Sequence, residues 1–236
     1  MHDLIPQISQ FLSFYIALIV SIVVHEGAHA AVAYLGGDRT AYDAGQVTLN
    51  PIPHMRREPF GTIILPIISF FMMGFPLAFA HAPYDPYWAD RHPKRAALMS
   101  FAGPGANLLL AALIFGILKL GLSMEWFEAP PPGGNPLENL VAARDWVESG
   151  PFYMLAKGLS LLLSINFLLG LFNLVPIPPL DGAGIVEGIF PPPVSTFYRF
   201  LRRDPWISIL GLLVVFYYGG SYLWYALRWM QELLLG

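Results

Sequence analysis

His25-Glu26-Gly27-Ala28-His29 puts two imidazoles and a carboxylate within five residues of an otherwise apolar stretch. On a helix, four residues at about 100° each bring His29 to within about 40° of His25, one turn along the same face, where both can share a metal ion. Glu26 is offset by about 100° on that turn, close enough to serve a metal-bound water as general base without being a ligand. Two histidines leave a site incomplete, because catalytic zinc takes three protein ligands and keeps a further position for water. Of the other histidines, His2 is terminal and His54, His81 and His92 fall in loops. The better third ligand is Asp181, in Asn173-Leu-Val-Pro176-Ile-Pro178-Pro179-Leu180-Asp181-Gly182, where three prolines break a helix and can aim a carboxylate inward. The alternative is that Asp181 caps a helix starting at Gly182.

The elements that carry these residues belong to a membrane protein. Of 236 residues, 56% are hydrophobic and 12% charged, with a mean hydropathy of +0.55; a soluble domain carries about 25% charge. Thirteen Lys and Arg against sixteen Asp and Glu argue against nucleic acid as a partner. The absence of cysteine removes disulfides, thiol catalysis and Cys-based metal sites. Five apolar runs approach the roughly 20 residues that a bilayer crossing needs: about 11–35, 62–80, 97–122, 152–174 and 206–227. The fold class is therefore an all-α polytopic membrane protein, a bundle of about four to six transmembrane helices. Residues 1–236 read as a single domain, with a catalytic core at about 8–190 and a C-terminal helix at about 205–228. Met1-His2-Asp3 lacks the positive start of a signal peptide, so the first helix is expected to stay in the mature protein. A charge at mid-membrane costs about 2.5–3.5 kcal/mol on the most lenient scale, which makes the ionisable cluster in the first run a functional hypothesis by default.

Basic residues in the loops give an orientation. The loops at 36–60, 81–96 and 182–205 hold nine of the thirteen Lys and Arg, whereas 123–151 carries Glu125, Glu128, Glu138, Asp145 and Glu148 against Arg144 alone. The acidic loop is assigned outside. Two basic loops flank the second run, so a full crossing there would put them on opposite faces. Pro66, Gly74 and Pro76 interrupt that run and can turn it back as a re-entrant or extended segment near 40–85; a kinked full span is the other reading. With the run re-entrant, the C-terminal ends of the first and fourth helices share one side, which is what a His25, His29 and Asp181 site requires.

These motifs resemble those of the site-2 protease family, intramembrane zinc metalloproteases of the peptidase M50 type. His25-Glu26-Gly27-Ala28-His29 matches the family's H-E-x-x-H helix, and Asn173-x-x-Pro176-x-x-x-Leu180-Asp181-Gly182 its distal N-x-x-P-x-x-x-L-D-G. Ala102-Gly103-Pro104-Gly105-Ala106-Asn107 is similar to its A-G-P-x-x-N. Leu49-Asn50-Pro51-x-x-His54 and Pro59-Phe60-Gly61-Thr62 resemble a stretch of its short members, although His54-Met-Arg-Arg-Glu58-Pro59 is two residues longer and has Glu for Asp. Ala80-His81-Ala82-Pro83 likewise stands where those members often read A-K-P. Loop lengths leave no room for an inserted PDZ or CBS-type domain.

The resemblance implies one Zn2+ per chain, a multi-pass protein of the cell membrane with its active site toward the cytoplasm, and a transmembrane protein or peptide as substrate. The expected reaction is hydrolysis of a peptide bond within or beside a membrane-spanning segment. Such a substrate must unwind, and Asn107 and Asn173 are candidates for holding its backbone, the alternative being that they bridge helices. Pro51, Gly61, Gly74 and the chain around His81 are expected to form an extended edge facing substrate. His54 and His81 are candidates for a gate or entrance, and Gly103 and Gly105 for close helix packing. Glu187 is expected at the cytoplasmic rim. A competing reading is a metal transporter or metal-sensing membrane protein using the same His and Asp residues, against which stands the lack of a repeated half. Oligomeric state is open.

Overall fold

A computed structural model describes residues 4–144 and 150–236. His2, Asp145 and Glu148 lie outside the described residues. The chain order is α1 (Leu4–Leu35), α2 (Thr40–Asp43), α3 (Pro51–Arg57), a π-helical turn (Phe60–Ile64) running into α4 (Leu65–Met73), α5 (Pro86–Arg91) and α6 (Pro93–Ser123). There follow β1 (Phe127–Glu128), β2 (Ala142–Ala143), α7 (Pro151–Asn173), α8 (Asp181–Ile189), α9 (Val194–Arg203) and α10 (Pro205–Leu235).

Many of the prolines are helix starters. α3, α5, α6, α7 and α10 all begin with one, at the position where the missing N–H has no helical partner to lose. Before three of them, the side chains of Asn50, Asp85 and Asp204 accept from the main-chain N–H of Ile52, Tyr87 and Trp206 at 3.0, 2.8 and 2.8 Å.

Among the described residues, four helices are long and apolar enough to cross a membrane: α1, α6, α7 and α10. The second apolar run is not a span. Its helix stops at Gly74, whose φ of +75° is the left-handed conformation that ends helices. On the way it packs Phe70 against Phe11 and Phe14 of α1, with ring centroids 5.3 and 6.3 Å apart. The chain then returns through residues 75–85 without regular structure, where Phe79 N–H donates to the Gly61 carbonyl at 3.2 Å. The expected extended edge near 40–85 does not form as a strand: Pro51 opens α3, Gly61 lies in the π-helical turn, Gly74 caps α4, and the stretch around His81 has no regular structure.

Side-chain contacts sort the loops onto two ends. At one, Trp88 Nε1 and Arg95 Nη1 donate to the Gly36 carbonyl, both at 3.0 Å, and Arg199 pairs with Asp90 at 3.3 Å, gathering the three basic loops. At the other, Glu138 is buried between Gln10 of α1 and Lys157 of α7, each at 2.6 Å. There Lys119 of α6 donates to the last carbonyls of α10, Leu233 and Leu234, at 3.2 and 2.9 Å. Glu138, read from the sequence as one acid of an outer loop, is thus a neutralised buried contact; a lone buried carboxylate would be costly. Among the described residues, three apolar clusters bind the bundle, one around Leu118, Leu140, Leu163 and Leu227, one around Phe14, Phe70 and Leu161 and a smaller one of Ala33, Trp88 and Met99.

Candidate active site

α1 carries His25, Glu26 and His29 into the bundle, all three buried. α6 packs against that face through Gly103, where an added Cβ would overlap both imidazoles. Asp181 arrives on the first turn of α8, whose cap residue is Leu180, so its carboxylate is not spent on capping. α8 can sit this close because its own glycines face α6: side chains at Gly184 and Gly188 would collide with Ser100 and with Ala97 and Pro93. Small residues four apart let two backbones approach.

The three predicted ligand atoms converge. His25 Nε2 and His29 Nε2 are 3.0 Å apart, and Asp181 Oδ2 lies 3.0 Å from the first and 3.3 Å from the second. Metal bonds of about 2.0–2.1 Å at tetrahedral angles place ligand atoms roughly 3.3 Å from one another, so the spacing fits zinc. The protonation pattern fits as well. His29 Nδ1 donates to the Met99 carbonyl at 2.7 Å, and His25 Nδ1 donates to Asn107 Oδ1 at 2.6 Å. Both rings therefore turn unprotonated Nε2 atoms toward a carboxylate, an all-acceptor cluster that calls for a cation.

Glu26 is 5% exposed, and its Oε2 has no protein hydrogen-bond partner among the described residues. That atom is available to a proton from outside the protein. Glu26, His25, His29 and Asp181 line a cavity of about 190 Å3 together with Ala80-His81-Ala82, Tyr84, Met99, Ser100, Asn173, Pro179 and Arg202.

The other predicted residues fall in different places. Asn173 reaches the cavity wall, with its amide donating to the Leu169 carbonyl at 3.0 Å. Asn107 is fully buried behind His25, and its amide nitrogen donates to the Ser21 carbonyl and to Asn166 Oδ1 at 3.0 and 2.8 Å. His81 lines the cavity and pairs with Glu58 at 2.8 Å, which clips the returning segment 75–85 to the start of the short helix. His54 lies under the preceding loop, 2% exposed, with Nε2 3.0 Å from the Thr48 carbonyl. That loop passes so near α1 that a Cβ at Gly27 would sit 3.1 Å from Thr48 O. Glu187 is held by Arg199 and Arg202 at 3.3 and 3.2 Å. Arg202, Tyr84, Ser100 and Asn166 were not singled out from the sequence. Only Asn166 had a local signal, as a polar residue on an apolar span.

The chain is 35% identical over 201 residues, 84% of its length, to "Putative zinc metalloprotease YwhC" of Bacillus subtilis, covering 78% of that protein. It is 26% identical over 196 residues to "Putative zinc metalloprotease Rip2" of Mycolicibacterium smegmatis and 28% over 198 residues to that of Mycobacterium tuberculosis. These matches take in 83% and 84% of the chain, which spans 64% of each Rip2 protein. No solved structure matches. The model of the family described as Peptidase family M50 matches residues 13–198, from the first crossing through α8 and into α9. The chain belongs to peptidase family M50.

Proposed function

We propose that the chain is a zinc-dependent intramembrane endopeptidase that hydrolyses peptide bonds within or next to the transmembrane segments of membrane protein substrates, on the cytoplasmic side. The observation that carries this reading is the meeting of two imidazole Nε2 atoms, a carboxylate and the unpartnered Glu26 in one cavity between membrane-crossing helices. The names of its relatives as zinc metalloproteases support the metal.

His25, His29 and Asp181 hold the zinc, which when bound supplies Lewis acidity and a water whose pKa is brought toward ~7. Glu26 takes a proton at Oε2 and returns it to the leaving amine nitrogen. Its burial keeps that proton from bulk water. Asn173 and Ala80-His81-Ala82, which line the same cavity, face a substrate backbone. The three basic loops share an end with the site, and the bias of basic residues toward the cytoplasm supports a cytoplasmic side for it.

Glu26→Gln tests the assignment, because it preserves shape and removes the base. Zinc content should stay at the wild-type level while cleavage of a membrane-embedded substrate falls roughly 10²- to 10⁴-fold. Cleavage at the wild-type rate would overturn the reading.

A further inference from the structure

We propose that Asn166 is a positioning residue for the zinc site, acting through Asn107 to set which nitrogen of His25 is free to bind metal. The proposal rests on the reading of His25 as a ligand. Ser21, Asn107 and Asn166 come from α1, α6 and α7, and each is 0% exposed inside the bundle.

The chain of hydrogen bonds has one possible polarity, because it is anchored on main-chain carbonyls that only accept. Ser21 Oγ donates to the Ala17 carbonyl at 2.7 Å, which leaves the hydroxyl oxygen as an acceptor. Asn166 Nδ2 donates to that oxygen and to the Leu162 carbonyl, both at 2.8 Å. The Asn166 Oδ1 must then face Asn107, and it accepts from Asn107 Nδ2 at 2.8 Å. The second hydrogen of that amide goes to the Ser21 carbonyl at 3.0 Å. Asn107 therefore has only its oxygen left for His25, and it takes the Nδ1 proton at 2.6 Å. The lone pair of His25 is thereby placed on Nε2, toward His29 and Asp181.

Without Asn166, one hydrogen of the Asn107 amide loses its acceptor. Only the Ser21 carbonyl then opposes a half-turn of the amide that would offer N–H to His25 Nδ1, where two acceptors opposed it before. That orientation favours the tautomer with its proton on Nε2, which cannot coordinate. In a membrane interior no bulk water is present to repair the arrangement. Partners behind a metal-bound histidine are typically worth 10- to 100-fold in metal affinity.

The test uses the full chain in detergent or nanodiscs. Zinc affinity is measured by chelator competition, and the tautomer of His25 by 15N NMR of the metal-free protein with labelled histidine at mildly alkaline pH, its signals identified by their loss in His25→Ala. In the wild type, His25 should be protonated at Nδ1. Asn166→Leu should lose that single tautomer and bind zinc roughly 10- to 100-fold more weakly. Ser21→Ala should shift both readouts in the same direction by less, and Ser21→Thr, which keeps the hydroxyl, should restore them. If Asn166→Leu does not fold, the Ser21 pair carries the decision. Wild-type tautomer and wild-type affinity in the folded variants would overturn the proposal. Unchanged zinc affinity in His25→Ala and Asp181→Asn would instead overturn the ligand reading beneath it.

Discussion

A methyl group at Gly103 would overlap the imidazoles of both His25 and His29, so this glycine belongs to the site as much as the residues with chemistry. Gly103→Ala should weaken zinc binding by at least about tenfold, the order seen when a histidine's supporting partner is lost, while the protein stays inserted and helical. Chelator competition and circular dichroism check this, and unchanged affinity would mean that α6 gives way instead. The sequence shows Gly103 as a small residue suited to helix packing. Its neighbour could not be inferred, because helix spacing tells which face a residue occupies and not which atoms stand opposite. The same holds for Asn107. Its amide was read as holding substrate or as bridging helices, and the structure places it behind His25, engaged with Ser21, Asn166 and the imidazole.

α8 is nine residues long, and its placement brings Asp181 to the histidines. Gly184 and Gly188 form the contact face, and Gly188 lies against the Pro93 carbonyl and Ala97 at the start of α6. Gly188→Val should push α8 away from α6, displace Asp181 and reduce zinc retention by roughly tenfold or more, again an effect transmitted through a ligand's support. Retention at the wild-type level on purification would show that α8 is not held by this face. The packing role of these glycines required the partner helix. The second apolar run was ambiguous for a related reason. Pro66, Gly74 and Pro76 fit a kinked span as well as a return, and the decision came from Gly74 ending α4 and from Phe70 docking on α1.

Across the whole molecule, three basic loops gather at one end and the Pro-rich loop with Glu138 lies at the other. The proposed orientation makes the first end cytoplasmic. Since the chain has no cysteine, single-cysteine variants report sidedness directly. Arg91→Cys should react with a membrane-impermeant maleimide only in inverted vesicles, and Gly133→Cys only in right-side-out cells. The opposite pattern would reverse the orientation, and labelling of both from one side would contradict the odd number of crossings between them. Nine of the thirteen basic residues pointed to this arrangement before any contact was known, since loop charge is written locally in the chain.

The sequence by itself determined the membrane class, five apolar runs that include the four long helices, the shared face of His25 and His29 and the motifs of the family, because each depends on residues close together in the chain. Only the tertiary structure decided that Asp181, 156 positions away, stands 3.0 Å from His25. It also decided that the second run turns back, that His81 rather than His54 borders the cavity, and that an amide relay from α7 ends at His25. These outcomes depend on how closely helices approach and on which donors meet which acceptors when they do. Glycine faces and main-chain carbonyls settle those matters, and their effect appears only when two distant segments are packed together.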